Sequence, residues 1–179
     1  LKTLLEKINI IVSDLKAEFS IIIVNDASSE QLNNFSNKHE NLKSIKILSI
    51  KNNIGHARCN ATGLKYISEN EKFDYVIPMD GDGEDRPEEI VQFIETLKNN
   101  INKPIVGERV KRSEGIIFKI CYHIHKIITL TFTGKSIKFG NFTCLPKTTV
   151  EKMVNEKATW NSFSGSLTKV EKDFIEIPS

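Results

Sequence analysis

With 179 residues, 39% of them hydrophobic and 27% charged, the chain has the size and composition of one globular domain and is too short for two. A formal net charge of +2, with the lysines scattered, leaves no electrostatic footprint for a nucleic-acid partner. Cys59, Cys121 and Cys144 are odd in number and far apart, which argues against a disulfide framework and for free thiols in a cytoplasmic compartment.

Leu4, Leu5, Ile8, Ile11, Val12 and Leu15 recur at helical spacing and predict an amphipathic helix over residues 1 to about 17. "FSIIIVND", residues 19–26, is a short β-branched run that ends in polar residues, as a buried strand does. Ser28 and Gln31 form a capping-box start for a second helix. "SIKILSI", residues 44–50, is the next strand, and Gly55 to Ile67 the next helix, with Ala57, Ala61 and Leu64 on one face. "FDYVIPM", residues 73–79, predicts a third strand. Pro87 then stands where first-turn prolines belong, and Glu88 and Glu89 complement the positive end of a helix. "PIVGER", residues 104–109, is a fourth strand, followed by a long helix over about 115–133. That stretch is the most apolar in the chain, yet charge breaks it below the ~18 uninterrupted apolar residues of a membrane span. Beyond residue 135, "IKFGNFTCL" reads as strand or loop, "KTTVEKMV" as a short helix and "DFIEIP" as a closing strand.

This alternation predicts an α/β fold, a single mainly parallel sheet flanked by helices on both faces. The chain opens on a helix and without methionine, so the expectation is a domain truncated at both ends and lacking its first strand. In such sheets ligands bind beyond the carboxyl ends of the strands. Those ends carry Asn25 and Asp26, then Asn52, Asn53 and Gly55, then Asp80, Asp82 and Glu84, then Arg109, and all are expected to line one crevice.

The acidic run "MDGDGEDRPEE" has three readings. One is a solvated turn ahead of a helix. A calcium-binding EF-hand loop is the second, and it fails: Asp85 stands where that loop needs glycine, Val91 where it needs the bidentate glutamate, and a strand precedes it. In the third, Asp80, Asp82 and Glu84 turn toward one point, with Gly81 and Gly83 bending the backbone, and hold a hard divalent cation that grips a nucleotide diphosphate.

Taken together, "IIIVNDASSE", "NNIGHARCNATGL", "YVIPMDGDGEDRPEEI", "VGERVKR" and "FGNFTCL" resemble glycosyltransferase family 2 in order and spacing, over nearly the whole chain. The similarity is greatest to the polyprenyl-phosphate sugar transferases. It implies the nucleotide-diphospho-sugar transferase (GT-A) fold over residues 1–179 and inverting hexosyl transfer from a nucleotide-diphosphate sugar. It also implies a Mg²⁺ or Mn²⁺ cofactor at Asp80 and Asp82, with Glu84 near the metal. Asp26 would line the base and ribose pocket, with Asn25 where the family usually has the first of two aspartates. Asn53 and Gly55 fall in the donor-binding turn, and Arg109 matches the phosphate-contacting arginine, with Arg112 a second contact. Thr143 occupies the place of a later family arginine. Relatives with hydroxyl acceptors generally carry a Glu-Asp base pair past this point, and residues 140–179 contain none. An anionic acceptor needs little proton removal, so a polyprenyl phosphate is the expected acceptor. The alternatives are a saccharide hydroxyl acceptor and a nucleotide-sugar-binding module without turnover. A dinucleotide-dependent oxidoreductase ranks below these, because no G-x-G-x-x-G follows the first strand.

Lys119, His123 and Lys126 share one face of the 115–133 helix and Ile117, Cys121, Ile124 and Ile128 the other. This suits either an ordinary surface helix or one lying on the inner face of a membrane beside a lipid acceptor. His123 and His125 are two apart and point to nearly opposite sides, which disfavours a metal pair. "NAT" at 60 and "NFT" at 141 match the glycosylation pattern but carry little weight in a reduced, cytoplasmic chain.

Overall fold

The computed structural model describes residues 1–29, 32, 39–108 and 139–178. Helix α1 (Lys2–Ile11) runs into a short 3₁₀ turn and then strand β1 (Phe19–Asn25). After β2 (Leu42–Ser49) come α2 (His56–Asn70), the two-residue β3 (Tyr75–Val76), α3 (Glu89–Leu97) and β4 (Ile105–Glu108). The chain closes with β5 (Phe139–Pro146), α4 (Lys147–Asn155), a 3₁₀ turn (Lys157–Trp160), α5 (Phe163–Val170) and β6 (Ile175–Pro178). The capping-box helix after Ser28 and the helix over 115–133 lie outside the described residues.

The α/β character is as expected, but the described strands do not form a single parallel sheet. β1 and β2 pair in parallel, with Ile21 opposite Ile45 and Ile23 opposite Ile47. The other four strands form a separate mixed sheet in the order β3-β5-β4-β6, in which β5 runs antiparallel to both β3 and β4, and β4 runs parallel to β6. Hydrophobic periodicity identifies a strand without giving its direction, and strand–helix alternation suggests parallel crossovers only when each strand continues the same sheet. β5 instead returns beside β4 in the opposite sense. The expected strand over 73–79 shrinks to Tyr75 and Val76, since Pro78 cannot donate to a ladder. Ile77 and Met79 still pack against the core.

β4 and β5 are buried on both faces. On one side Val106, Phe139 and Leu145 pack with Leu64 of α2, Val150 and Met153 of α4, and Phe163 and Leu167 of α5. On the other, Ile105, Phe142 and Cys144 meet Ile90, Phe93 and Leu97 of α3. Odd and even residues of β5 thus serve opposite layers, as the pleat requires. Phe93 stacks edge to face on Phe142 with ring centroids 5.0 Å apart. α2 lies close on β1 because Gly63 leaves room: a Cβ there would stand 2.9 Å from Val24 Cγ2. Cys59 and Cys144 are free thiols. Burial pushes the Cys144 thiol up to about 12. Among the described residues no helix is long and apolar enough to cross a membrane.

Candidate active site

Three chain segments meet where β1 ends, α2 begins and the acidic loop leaves β3. At the end of β1, Asn25 Oδ1 accepts the Ser28 N–H at 2.9 Å, turning the chain, and Ala27 takes a left-handed φ of 57°. The Asp26 carboxylate accepts two backbone donors from the next connection, Ile54 N–H at 2.8 Å and Gly55 N–H at 2.9 Å. Asn53 Nδ2 donates back to the Asp26 carbonyl at 3.3 Å. Gly55 precedes α2 with φ 85° and ψ 155°, a conformation L side chains rarely adopt, so glycine is required for its backbone. The first strand and the start of α2 are therefore joined through one half-buried carboxylate. Beneath it, the Cys59 thiol donates to the Val24 carbonyl, and its pKa is raised first by burial and then by the Asp26 charge.

The acidic loop is shaped by its own carboxylates. Asp85 Oδ2 accepts the Asp80 N–H at 2.8 Å, and Asp82 Oδ1 accepts the Glu84 N–H at 2.9 Å. Gly83 has φ 87°, whereas Gly81 is not in the left-handed region, so the tight bend expected of both glycines rests on Gly83 alone. Asp80 is half-buried, while Asp82 and Glu84 are exposed. The expected three-carboxylate convergence is not preformed: among the described residues no group of three His, Cys, Asp or Glu side chains is placed to hold a metal ion. Asp80 and Asp82 still offer hard carboxylate oxygens on one loop.

His56, the first residue of α2, connects this loop to the rest of the site and went unnoticed in the sequence. Its Nε2 lies 3.8 Å from Asp80 Oδ1 and 3.2 Å from Asn60 Nδ2, and it also contacts the Asn141 amide of β5. The sequence signal that could have revealed it is its place directly after Gly55, at a helix start facing the strand ends. Asn60 and Asn141 are the two asparagines of the glycosylation-like tripeptides, and both amides turn to His56. Thr143 is fully buried, with its hydroxyl donating to the Asn141 carbonyl at 3.1 Å. It has no surface to present to a phosphate.

Asn25, Asp26, Asn53, Gly55 and Asp80 are thus assembled around one junction, with Asp82 and Glu84 on the loop beyond it. Arg109 and Arg112 lie outside the described residues, as do Lys119, His123 and Lys126. The family model described as glycosyl transferase family 2 matches residues 1–159, which include every residue of this junction. No curated protein matches the chain.

Proposed function

The chain belongs to glycosyl transferase family 2, whose members move a sugar from a nucleotide sugar to an acceptor, and we propose that it does so with inversion, with a divalent cation, and onto a polyprenyl phosphate. The observation that carries this reading is the junction itself. A strand-end aspartate holds the glycine turn before α2, and His56, the first residue of α2, lies 3.8 Å from Asp80 of the Asp-x-Asp loop, beyond the strand ends where ligands of open α/β sheets bind.

The residues fit a divalent cation in their donor chemistry. Asp80 and Asp82 supply two hard oxygen ligands, the number Mg²⁺ commonly takes from protein when substrate phosphates fill its remaining positions. A cation held there would neutralise charge on the departing diphosphate. Asn25, Asp26, Asn53 and Gly55 form the turn that receives the nucleoside, with Asp26 fixing that turn by its two backbone bonds. Arg109 and Arg112 balance the diphosphate charge. The acceptor phosphate oxygen forms its bond to the anomeric carbon on the face opposite the diphosphate, and the bond from that carbon to the diphosphate breaks, its electron pair leaving with the diphosphate oxygen. An ionised phosphate acceptor needs no base for this step, in keeping with the absence of a Glu-Asp pair in residues 140–179. The apolar, lysine-bearing stretch 115–133, expected from its sequence to be an amphipathic helix, is the segment we assign to the membrane surface; reversing the charge of Lys119 and Lys126 should weaken binding to anionic vesicles.

The deciding experiment is thermal stabilisation by uridine, guanosine and thymidine diphosphates, with and without Mn²⁺, on the chain and on Asp82→Ala. A ligand at ~100 times its dissociation constant adds about 2.7 kcal/mol. A cation-dependent shift for one base that disappears in a folded Asp82→Ala protein is the expected result. An identical shift in the variant would remove the Asp-x-Asp clamp, and no shift with any base would remove the donor site.

A further inference from the structure

Resting on the nucleotide-sugar reading above, we infer that His56, Asn60 and Asn141 form a phosphate-binding cluster that contacts the donor diphosphate directly, in place of an arginine at position 143. An imidazole Nε2 has a single in-plane position, donor or acceptor according to tautomer. Around His56 Nε2 the structure gathers the Asn60 amide at 3.2 Å, the Asn141 amide, and Asp80 Oδ1 at 3.8 Å. One position cannot serve three groups. However the amides and the ring are oriented, at least one amide keeps hydrogen-bonding capacity that the ring cannot use.

That surplus is placed beside the carboxylate that would secure the diphosphate. His56 is 61% exposed at its side chain, so it is an open group rather than a core histidine. It begins α2 directly after Gly55, whose N–H is held by Asp26, so its position is set by the same turn that receives the nucleoside. Asn141 comes from β5, and its own carbonyl is held by the Thr143 hydroxyl. The two residues lie on the same face of β5: Thr143 is fully buried and its hydroxyl steadies the Asn141 carbonyl, while the half-buried Asn141 turns its amide to His56. A diphosphate seated at Asp80 lies against this cluster, and amide and imidazole N–H groups are suited donors to phosphate oxygens.

The test is titration of uridine, guanosine and thymidine diphosphates, and of the matching nucleosides without phosphate, into the wild-type chain, His56→Ala, His56→Gln and Asn60→Ala with Mg²⁺ present. For the diphosphate that binds wild type, His56→Ala should weaken binding about tenfold, as loss of one hydrogen bond to a charged group does. The nucleoside should bind as before. His56→Gln, which places an amide nitrogen near the Nε2 position, should recover most of the affinity, and Asn60→Ala should lose a few-fold on the diphosphate only. Equal diphosphate affinity in wild type, His56→Ala and Asn60→Ala would overturn the cluster while leaving the donor site intact. Equal losses for nucleoside and diphosphate would overturn it as a structural effect. Failure of every diphosphate to bind wild type would remove the proposed function, and this inference with it.

Discussion

Replacing Asp26 with asparagine tests whether the junction is built as described. The carboxylate accepts two backbone donors, from Ile54 at 2.8 Å and Gly55 at 2.9 Å. Hydrogen bonds to a charged group contribute about 1.5–3 kcal/mol each. In Asp26→Asn one oxygen remains as a neutral acceptor worth about 1 kcal/mol, while the new NH₂ faces a backbone N–H and leaves that donor unmet, at a cost of about 1 kcal/mol or more. Solvent access at this half-buried site trims the difference, so the expected loss is about 2 kcal/mol. For a chain of this length that is a fall of about 4–8 °C in melting temperature. Urea denaturation followed by circular dichroism, without ligand, measures it, with an unchanged slope showing that the unfolded state is unaffected. Coincident wild-type and Asp26→Asn midpoints would mean that the carboxylate does not hold the turn before α2.

Gly63→Ala gains about 1 kcal/mol in helix propensity but drives a methyl to 2.9 Å from the stiff Val24 side chain, so a net loss of about 1 kcal/mol or more is expected. Adding Val24→Ala should make the double variant more stable than the sum of the single losses predicts, which a double-mutant cycle in urea reads out. Phe93→Ala removes the ring stacked on Phe142 at the centre of one core layer and should cost about 3–5 kcal/mol by the same assay. Cys144 should resist a thiol reagent at pH 8 in the native chain and react once the chain is unfolded, because burial raises its pKa from 9.0 to about 12. The sign follows: the native state keeps the proton that the unfolded state loses, so this contribution is intact below about pH 9 and is lost as pH rises toward 12.

Element type was legible in this sequence wherever the residues state it locally. The β-branched run of Ile21, Ile22, Ile23 and Val24 announced a strand, though its side chains prove half-buried rather than buried, and Pro87, Glu88 and Glu89 announced the start of α3. Strand direction was not legible. Phe139, Phe142, Cys144 and Leu145 are buried because helices cover both faces of β5, and a strand buried on both faces shows no alternation and carries no mark of which way it runs. "IKFGNFTCL" therefore read as strand or loop, although from Phe139 onward it is β5, between β3 and β4 in the mixed sheet. The short strand after Phe73 had the same cause in miniature: Pro78 is apolar enough to extend the pattern and unable to extend the ladder.

The candidate site divides along a different line. Asp26, Gly55, Asp80 and Asp82 were legible because each stands in a motif whose spacing is short. Their wiring was not, since it runs between segments. Asp26 reads in sequence as a ligand for the nucleoside, yet both its oxygens already hold the backbone of residues 54 and 55. It shapes the pocket whether or not it touches the donor. His56 and Asn141 are separated by 85 positions, so no local pattern could pair them. Taken alone, Asn141 suggests a glycosylation tripeptide and Thr143 a missing arginine. Paired with His56 at the start of α2, Asn141 turns its amide toward that ring, while Thr143, on the same face of β5, is fully buried. Thr143 pairs with Val106 in the sheet and its short side chain ends inside the core, so it reaches no phosphate. Thr143 as it stands is sealed by its neighbours, so under the proposed function a donor-phosphate contact on this side of the site would come from the half-buried Asn141 and the exposed His56 instead.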